Sequence, residues 1–223
     1  MFIQPPTLDF LPHPYFVATE GMGDARFVEE LLQFGKITNC SVGCPSKQTG
    51  GSGKEAFLKY FSAIQTARTR AKSVPLRGLL VIADADDNAD GAFKAVVDAM
   101  TGATFPVPQH PFSIEGVSFR VAIYLLPGSG RTGCLEHILL EAAITRTPHL
   151  AKCLDDFSTC SGALKSVRPN KHAKMRMSAL AAAFCEDNPW ASAHTMWSDN
   201  GNPVPISSGC FKDLGQFLAA FAG

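Results

Sequence analysis

The sequence has no long apolar run and no excess of charge of either sign. Its 223 residues include 20 lysines and arginines and 20 aspartates and glutamates, so the formal net charge is zero. No apolar stretch approaches the length of about 20 residues that a membrane-spanning helix needs. A global electrostatic field is therefore excluded as the means of attracting nucleic acid, and such contacts must come from local basic clusters.

Signals for secretion and for cysteine pairing are also missing. The first 16 residues contain four prolines and lack a basic start, unlike a signal peptide. The seven cysteines are odd in number and lack the spacing of a disulfide framework or a zinc finger. These features predict a cytoplasmic protein with free thiols and no membrane association. Hydrophobic residues make up 46% of the chain, which predicts a globular fold of one elaborated domain or two small ones.

The chain is organised around a buried strand that ends in acidic residues. Residues 79–83 form an unbroken apolar run, and Asp84 and Asp86 follow directly. A short apolar run of this kind is typical of a strand covered on both faces in a parallel sheet, and apolar residues at helical spacing follow it over 93–100. The aspartates are therefore expected at the carboxyl edge of the sheet, where open α/β proteins bind ligands.

The spacing of Asp84 and Asp86 predicts a site that needs charge compensation. In an extended chain the two side chains point the same way, and carboxylates about 4 Å apart repel by roughly 4 kcal/mol at an effective dielectric near 20. A bound cation, a shared proton or a basic partner relieves this repulsion, and oxygen ligands of this kind suit Mg²⁺ or Mn²⁺. The simpler alternative is a polar turn, in which Asp87, Asn88 or Asp90 caps the next helix.

An earlier segment repeats the pattern of strand, acidic residue, glycine turn and helix. Residues 15–19 predict a second buried strand, which ends at Glu20 and Gly21, and apolar residues over 27–34 predict the helix. Gly21 allows a tight turn with the backbone close to a ligand. Asp24 is predicted to cap the helix, whereas Glu20 precedes the glycine and is not explained as a cap.

A glycine-rich stretch around Lys54 invites comparison with a phosphate-binding loop. The comparison fails, because Gln48 stands in place of the first glycine and Glu55 in place of the Ser/Thr. The stretch is therefore predicted to be a flexible turn before a helix, with a weak indication that Lys54 faces an anion.

A second glycine-rich turn follows two strands predicted over 112–126. Gly128, Gly130 and Arg131 come before a helix whose first backbone N–H groups are free, which predicts a phosphate cradle. Glu136 lies in the first turn of that helix. Its carboxylate is explained equally by a favourable charge at a helix N-terminus and by a role in a metal site.

Residues 157–185 contain five lysines and arginines and no acid. Lys171 and Lys174 are three positions apart, so they share a face of a helix. The segment is predicted to contact nucleic-acid backbone beside the carboxylates. The alternative is a solvated surface whose partners are acids elsewhere, such as Asp155 or Asp156.

Together these elements predict an α/β fold with a Rossmann-like, mostly parallel sheet and helices on both faces. This part is assigned to residues 1–150. Residues 151–223 are predicted to form a helical C-terminal appendage packed on it, which ends in an amphipathic helix over 211–221.

The order of the acidic motifs resembles that of the Toprim domain of topoisomerases, primases and overcoming-lysogenization-defect nucleases. Glu20, Gly21 and Asp24 give the pattern EGxxD at a strand end, and Asp84 and Asp86 give DxD at the end of another. The later P-G-x-G…LE segment, which contains Glu136, and a Lys-His-Ala-Lys helix look like a bacterial family of small, uncharacterised Toprim-like proteins.

The resemblance implies specific roles. Glu20 would act as general acid/base or metal ligand, Asp84 and Asp86 would hold Mg²⁺, and the two strands would be neighbours. The sequence departs from the topoisomerase pattern, because Gly91 lies five positions after Asp86 rather than three, and neither a tyrosine nucleophile nor an ATPase module is evident. Strand passage is therefore excluded and primer synthesis is disfavoured.

The resulting hypothesis is magnesium- or manganese-dependent phosphodiester hydrolysis or phosphoryl transfer on nucleic acid. The alternatives are a non-catalytic module of the same fold that binds a nucleotide, nucleic acid or a protein partner, and an unrelated doubly wound protein that binds another phosphorylated ligand. The residues predicted to contact phosphate or nucleic acid are Gly21, Gly128, Gly130, Arg131, Lys171 and Lys174.

Overall fold

A computed structural model describes residues 11–46, 51, 53–70 and 72–223. The described chain contains five strands: β1 (Tyr15–Thr19), β2 (Cys40–Gly43), β3 (Gly78–Asp84), β4 (Ile114–Glu115) and β5 (Arg120–Leu126). Its α-helices are α1 (Met22–Phe34), α2 (Phe57–Arg68), α3 (Ala89–Gly102), α4 (Leu135–Arg146), α5 (Leu150–Cys160), α6 (Ala163–Ser166), α7 (Pro169–Phe184) and α8 (Lys212–Ala222).

The strands form one mostly parallel sheet in the order β2-β1-β3-β5-β4. Strands β2, β1, β3 and β5 are parallel to their neighbours, and the short edge strand β4 runs antiparallel to β5. Parallel neighbours require crossover connections, which the intervening helices supply. The predicted α/β class and mostly parallel sheet are therefore confirmed.

Helices cover both faces of the sheet. Because successive side chains of a strand point to opposite faces, Leu80 and Ile82 of β3 belong to one buried cluster, and Leu79 and Val81 belong to the other. The first cluster includes residues of α1, α4, α5, α7 and α8, and the second includes residues of α2 and α3. This two-sided burial explains why β3 is apolar at every position before Asp84.

Local signals placed most elements correctly. The predicted strands over 15–19 and 79–83 are confirmed by β1 and β3. Asn88 caps α3, since its side chain accepts a hydrogen bond of 3.0 Å from the backbone N–H of Gly91. This agrees with the prediction that the polar turn after β3 contains the cap.

The C-terminal helices join the same core as the sheet. Leu214, Leu218 and Phe221 of α8 are buried in the first cluster. The end of α8 is also tied to the sheet region, because the Asn39 side chain donates to the carbonyl of Ala222 at 2.8 Å. The predicted C-terminal helical part is consistent with this packing, and the domain boundary at residue 150 stays a prediction.

Two further features concern the whole chain. All seven cysteines carry free thiols. Within the described ranges, no helix is long and apolar enough to cross a membrane.

Candidate functional site

The ends of β1 and β3 bring Glu20 and Asp84 together. The two strands are neighbours, with Thr19 opposite Ile82, as the resemblance implied. Glu20 follows β1 directly, and its Oε1 accepts a hydrogen bond of 2.7 Å from the backbone N–H of Asp84. Glu20, which helix capping does not explain, therefore holds the end of β3 through this hydrogen bond.

Asp84 connects the sheet edge to the start of α4. Its Oδ1 accepts a hydrogen bond of 3.0 Å from the backbone N–H of Leu135, one of the helix N–H groups without an intrahelical partner. Burial raises the pKa of Asp84 well above its ordinary value, and the charges of Asp24, Glu20 and Glu136 raise it further. Lys174 acts in the opposite direction.

Asp24 belongs to this group, and the prediction that it caps α1 is wrong. Gly21 occupies the N-cap position, because the helix begins at Met22 and Asp24 lies within its first turn. The Asp24 carboxylate lies over Gly21, with Oδ2 3.4 Å from the place that a Cβ on Gly21 would take. Desolvation raises the pKa of Asp24 to about 7, and Glu20 contributes to the rise.

Glu136 completes what we call the carboxylate cluster, formed by Glu20, Asp24, Asp84 and Glu136. It lies in the first turn of α4. Its Oε2 is buried and has no hydrogen-bond partner among the described residues. Such an atom retains the capacity to bind a cation or a proton donor. A favourable charge at a helix N-terminus does not by itself account for its convergence with three other acids.

Asp86 lies beyond the end of the extended strand. Its φ is +52°, so the extended chain ends at Asp84, and the expectation that both aspartates lie in one extended segment is wrong. Its backbone pairs with Gly133 instead, through hydrogen bonds of 2.8 and 2.7 Å. The Asp86 side chain is 54% exposed and accepts a hydrogen bond of 2.9 Å from Asn170 of α7.

Lys54 lies between Asp86 and the carboxylate cluster. Its Nζ is 2.5 Å from Asp86 Oδ2 and 3.4 Å from Glu20 Oε1, with only 16% of the side chain exposed. Desolvation lowers the pKa of Lys54, but the two carboxylates more than offset it, so the pKa is raised. The anions that Lys54 faces are carboxylates of the protein itself. Gln48 and residues 49, 50 and 52 of the predicted flexible turn lie outside the described residues.

Lys174 supplies the second positive charge. It projects from α7, and its pKa is raised because Glu136 and Asp84 outweigh the effect of desolvation. Of the three ways to relieve carboxylate repulsion that the sequence left open, the structure contains basic partners. The sequence predicted one compensating charge for Asp84 and Asp86 together, but the two aspartates have different partners. Lys54 contacts Glu20 and Asp86, whereas Lys174 interacts electrostatically with Asp84 and Glu136.

Among the described residues, the carboxylate cluster does not form a coordination shell for a metal ion. No group of three or more His, Cys, Asp or Glu residues in the described part of the chain is arranged to hold a metal ion. The donors of the carboxylate cluster are nevertheless all oxygens, which magnesium and manganese prefer. The Oε2 of Glu136 is buried without a hydrogen-bond partner, and desolvation keeps the pKa values of Asp24 and Asp84 raised although Lys174 lowers both.

The glycine turn after β5 lies apart from the carboxylate cluster. Gly128 and Gly130 line a cavity of about 510 Å³ together with Asp90 and His110. Arg131 also borders this cavity, but its guanidinium forms an ion pair of 2.8 Å with Glu141 of α4. The structure therefore does not bring Arg131 to the cluster, because a carboxylate further along α4 holds the side chain.

The acid-free segment does lie beside the carboxylates. Asn170 and Lys174 of α7 reach Asp86 and the cluster, respectively. Lys171 is exposed on the same helix. Arg176 agrees with the alternative that basic residues of this segment pair with acids elsewhere in the fold, since it forms an ion pair of 2.9 Å with Asp155.

Sequence reasoning missed three residues of the site. The sequence alone assigns Asp24 to a helix cap and Lys54 to a flexible turn, and it gives no signal for Asn170. Their positions depend on how α1, α7 and the turn before α2 fold over the sheet edge, which no local pattern encodes.

Comparison with models of protein families identifies the family of this chain. The model of the family described as "Protein of unknown function (DUF3226)" matches residues 14–200. The chain belongs to the DUF3226 family. The DUF3226 match includes all members of the carboxylate cluster, both site lysines and Asn170. No curated protein and no solved structure matches the chain.

Proposed function

We propose that this DUF3226 protein has a Toprim-like, Rossmann-like fold and catalyses metal-dependent phosphodiester hydrolysis or phosphoryl transfer on nucleic acid. The observation that carries the proposal is the carboxylate cluster itself. Acids from the ends of β1 and β3 and from the first turns of α1 and α4 converge at the carboxyl edge of a mostly parallel sheet. Open α/β sheets bind ligands at this edge.

Glu20, Asp84 and Glu136 are the residues that would hold Mg²⁺ or Mn²⁺, with Asp86 as the further ligand that the DxD pattern suggests. When bound, the ion polarises a phosphoryl oxygen and lowers the pKa of a bound water. The chain's own groups do the remaining work. Glu20 transfers a proton or completes the ligand set, and Lys54 and Lys174 attract the phosphate backbone to this edge.

A second candidate is a phosphate-binding module without catalysis. Lys54 and Lys174 favour it, because they already balance part of the carboxylate charge without a metal. In such a module the two ammonium groups bind phosphate directly. The carboxylates then serve to hold the lysines in place.

Cation binding by calorimetry distinguishes the candidates. Asp84→Asn keeps an oxygen that accepts the hydrogen bond from Leu135, yet it is expected to abolish binding of Mg²⁺ and Mn²⁺. Lys54→Met is expected to raise cation affinity, because an ammonium and a metal compete for Glu20 and Asp86. The matched control is Lys94→Met, which removes a lysine from an exposed ion pair with Asp98.

Activity is tested in parallel on single- and double-stranded DNA and RNA with Mg²⁺ or Mn²⁺. The proposal requires cleavage by the wild-type protein and its loss in Asp84→Asn. A protein that binds no divalent cation, and whose Lys54→Met variant binds oligonucleotides more weakly, would instead be the non-catalytic module.

A further inference from the structure

Trp190 is an indole that the fold does not bury. Its exposed fraction is 92%, so it contributes little hydrophobic stabilisation to the chain. The other tryptophan, Trp197, is partly buried and packs against the first cluster. It stacks on Phe27 with ring centroids 5.7 Å apart, and its Nε1 donates a hydrogen bond of 2.8 Å to the carbonyl of Ala193.

The backbone that presents Trp190 is held by a network of hydrogen bonds. The N–H of Trp190 donates to Asn188 Oδ1 at 3.2 Å, and the N–H of Ala191 donates to the Asn188 carbonyl at 2.8 Å. Asp199 fixes this turn through its two carboxylate oxygens, which accept from the N–H groups of Asn188 at 3.1 Å and Gly201 at 2.9 Å. A ligand that contacts the indole therefore meets a preorganised turn.

This turn borders the carboxylate cluster. Residues 191–193 line a cavity of about 230 Å³ together with Glu136 and Lys174. Ala193 also lies against the first turn of α1, since its Cβ is 3.1 Å from the place that a Cβ on Gly23 would take. Trp190 therefore directly precedes, in the sequence, the residues that line this cavity with Lys174.

We propose that Trp190 is a stacking platform for a base of single-stranded nucleic acid whose phosphate backbone meets Lys174. The proposal deepens the proposed function and rests on its assignment of a phosphate-binding edge. Every base has a π-face that stacks on an aromatic ring, and only unpaired bases are free to do so. An exposed indole in a turn that borders a lysine-lined cavity offers both a stacking surface and a nearby phosphate contact, as single-strand sites do, and it implies little dependence on sequence.

Fluorescence titration without divalent cations tests the stacking separately from any hydrolysis. The probes are an oligothymidylate of about eight nucleotides and an oligomer of equal length and charge in which every base is replaced by an abasic site. The base-containing probe is expected to bind more tightly and to quench emission in the wild-type protein. The quenching is expected to disappear in Trp190→Phe, where only Trp197 emits, although binding persists because phenylalanine also stacks.

Trp190→Ala is expected to weaken binding of the oligothymidylate by about fivefold to more than a hundredfold. It should leave the affinity for the abasic oligomer and the thermal stability unchanged, because the side chain is exposed. Equal affinity for both oligomers, or unchanged affinity in Trp190→Ala, would overturn the platform, even if the protein cleaves nucleic acid. If Trp190→Ala loses the stacking contribution and the wild-type protein cleaves no nucleic acid, the stacking proposal stands. Only the proposed catalysis is then overturned.

Discussion

At the scale of single residues, burial and neighbouring charges set the pKa values of the aspartates in the site. Asp24 and Asp84 bind protons more tightly than ordinary aspartates because burial and the other carboxylates disfavour their charged forms. Lys54 and Lys174 hold their protons more firmly because the neighbouring carboxylates favour their charged forms and outweigh desolvation. The cluster is therefore a region of incompletely balanced negative charge, and its pH dependence should be measurable in the protein without metal.

Asp24 is expected to make the metal-free protein less stable as the pH rises. Its pKa is raised to about 7 in the folded state from an ordinary value near 3.8, so the folded state retains a proton that the unfolded state releases between these values. The stabilisation is fully present below about pH 4 and is lost as the pH rises through 7. Asp24→Asn should remove this contribution and raise the melting temperature at pH 8, by about 2–4 °C for each kcal/mol recovered.

Thermal unfolding in EDTA from pH 4 to pH 8 measures this effect. The control is Asp98→Asn in the exposed ion pair with Lys94, which should follow the wild-type curve. If Asp24→Asn and the wild type lose stability in parallel across this range, the Asp24 carboxyl does not carry the pH dependence.

At the scale of secondary-structure elements, α7 joins the core to the site. Ala173, Met177 and Leu180 are buried in the first cluster, where the helix packs mainly against α4. The other positions present Asn170 to Asp86 and Lys174 to the carboxylate cluster. Lys174 of this basic helix therefore lies at the carboxyl edge of the sheet, where a phosphate backbone would bind.

Lysines of α7 are expected to carry the salt dependence of nucleic-acid binding. Lys171→Ala and Lys174→Ala should each weaken binding across sequences. Removing one lysine–phosphate interaction should reduce the slope of log affinity against log salt by about 0.9 for duplex DNA or about 0.7 for single strands. The slope is measured by fluorescence anisotropy over a series of salt concentrations.

The matched control is Lys152→Ala on α5, whose lysine is 79% exposed and paired with Asp156. It should change neither affinity nor slope. A wild-type slope retained by both α7 variants would show that this helix serves only as scaffold.

At the scale of the whole molecule, one face of the sheet is covered by helices from both halves of the chain. Phe221 of α8 contacts the ring of Tyr15 in β1, with centroids 5.4 Å apart and nearly perpendicular planes. Arg120 of β5 donates to the carbonyl of Phe221 at 2.9 Å. The last helix is therefore part of the layer that supports β1, the strand that positions Glu20.

Phe221→Ala is expected to destabilise the whole fold by about 3–5 kcal/mol, because it leaves a cavity beside the central strands. Urea unfolding should show one transition at lower urea, without a separate early loss of the C-terminal helices. The control is Phe34→Ala, whose ring is 59% exposed and whose removal should cost less than about 1 kcal/mol. An early, independent transition of the C-terminal part would show that α8 is not part of the common core.

Much of the fold followed from local sequence. The apolar run over 79–83 specified a strand buried on both faces, and a capping side chain, Asn88, marked the start of the next helix. These signals are local because hydrogen bonding and burial within one element depend on neighbouring positions. The positions of Glu20 and Asp84 at neighbouring strand ends followed from a resemblance in motif order, and the sheet contains that pairing.

The sequence by itself determined which residues are acidic, which strands are buried and where the chain turns. Only the tertiary structure decided which charges meet. It turned Asp86 out of the extended conformation, placed Asp24 inside the cluster, and brought Lys54 and Lys174 to carboxylates 32 or more positions away along the chain. The physical reason is that an electrostatic site depends on distance and desolvation, and both are fixed only when α1, α4 and α7 pack over the edge of the sheet.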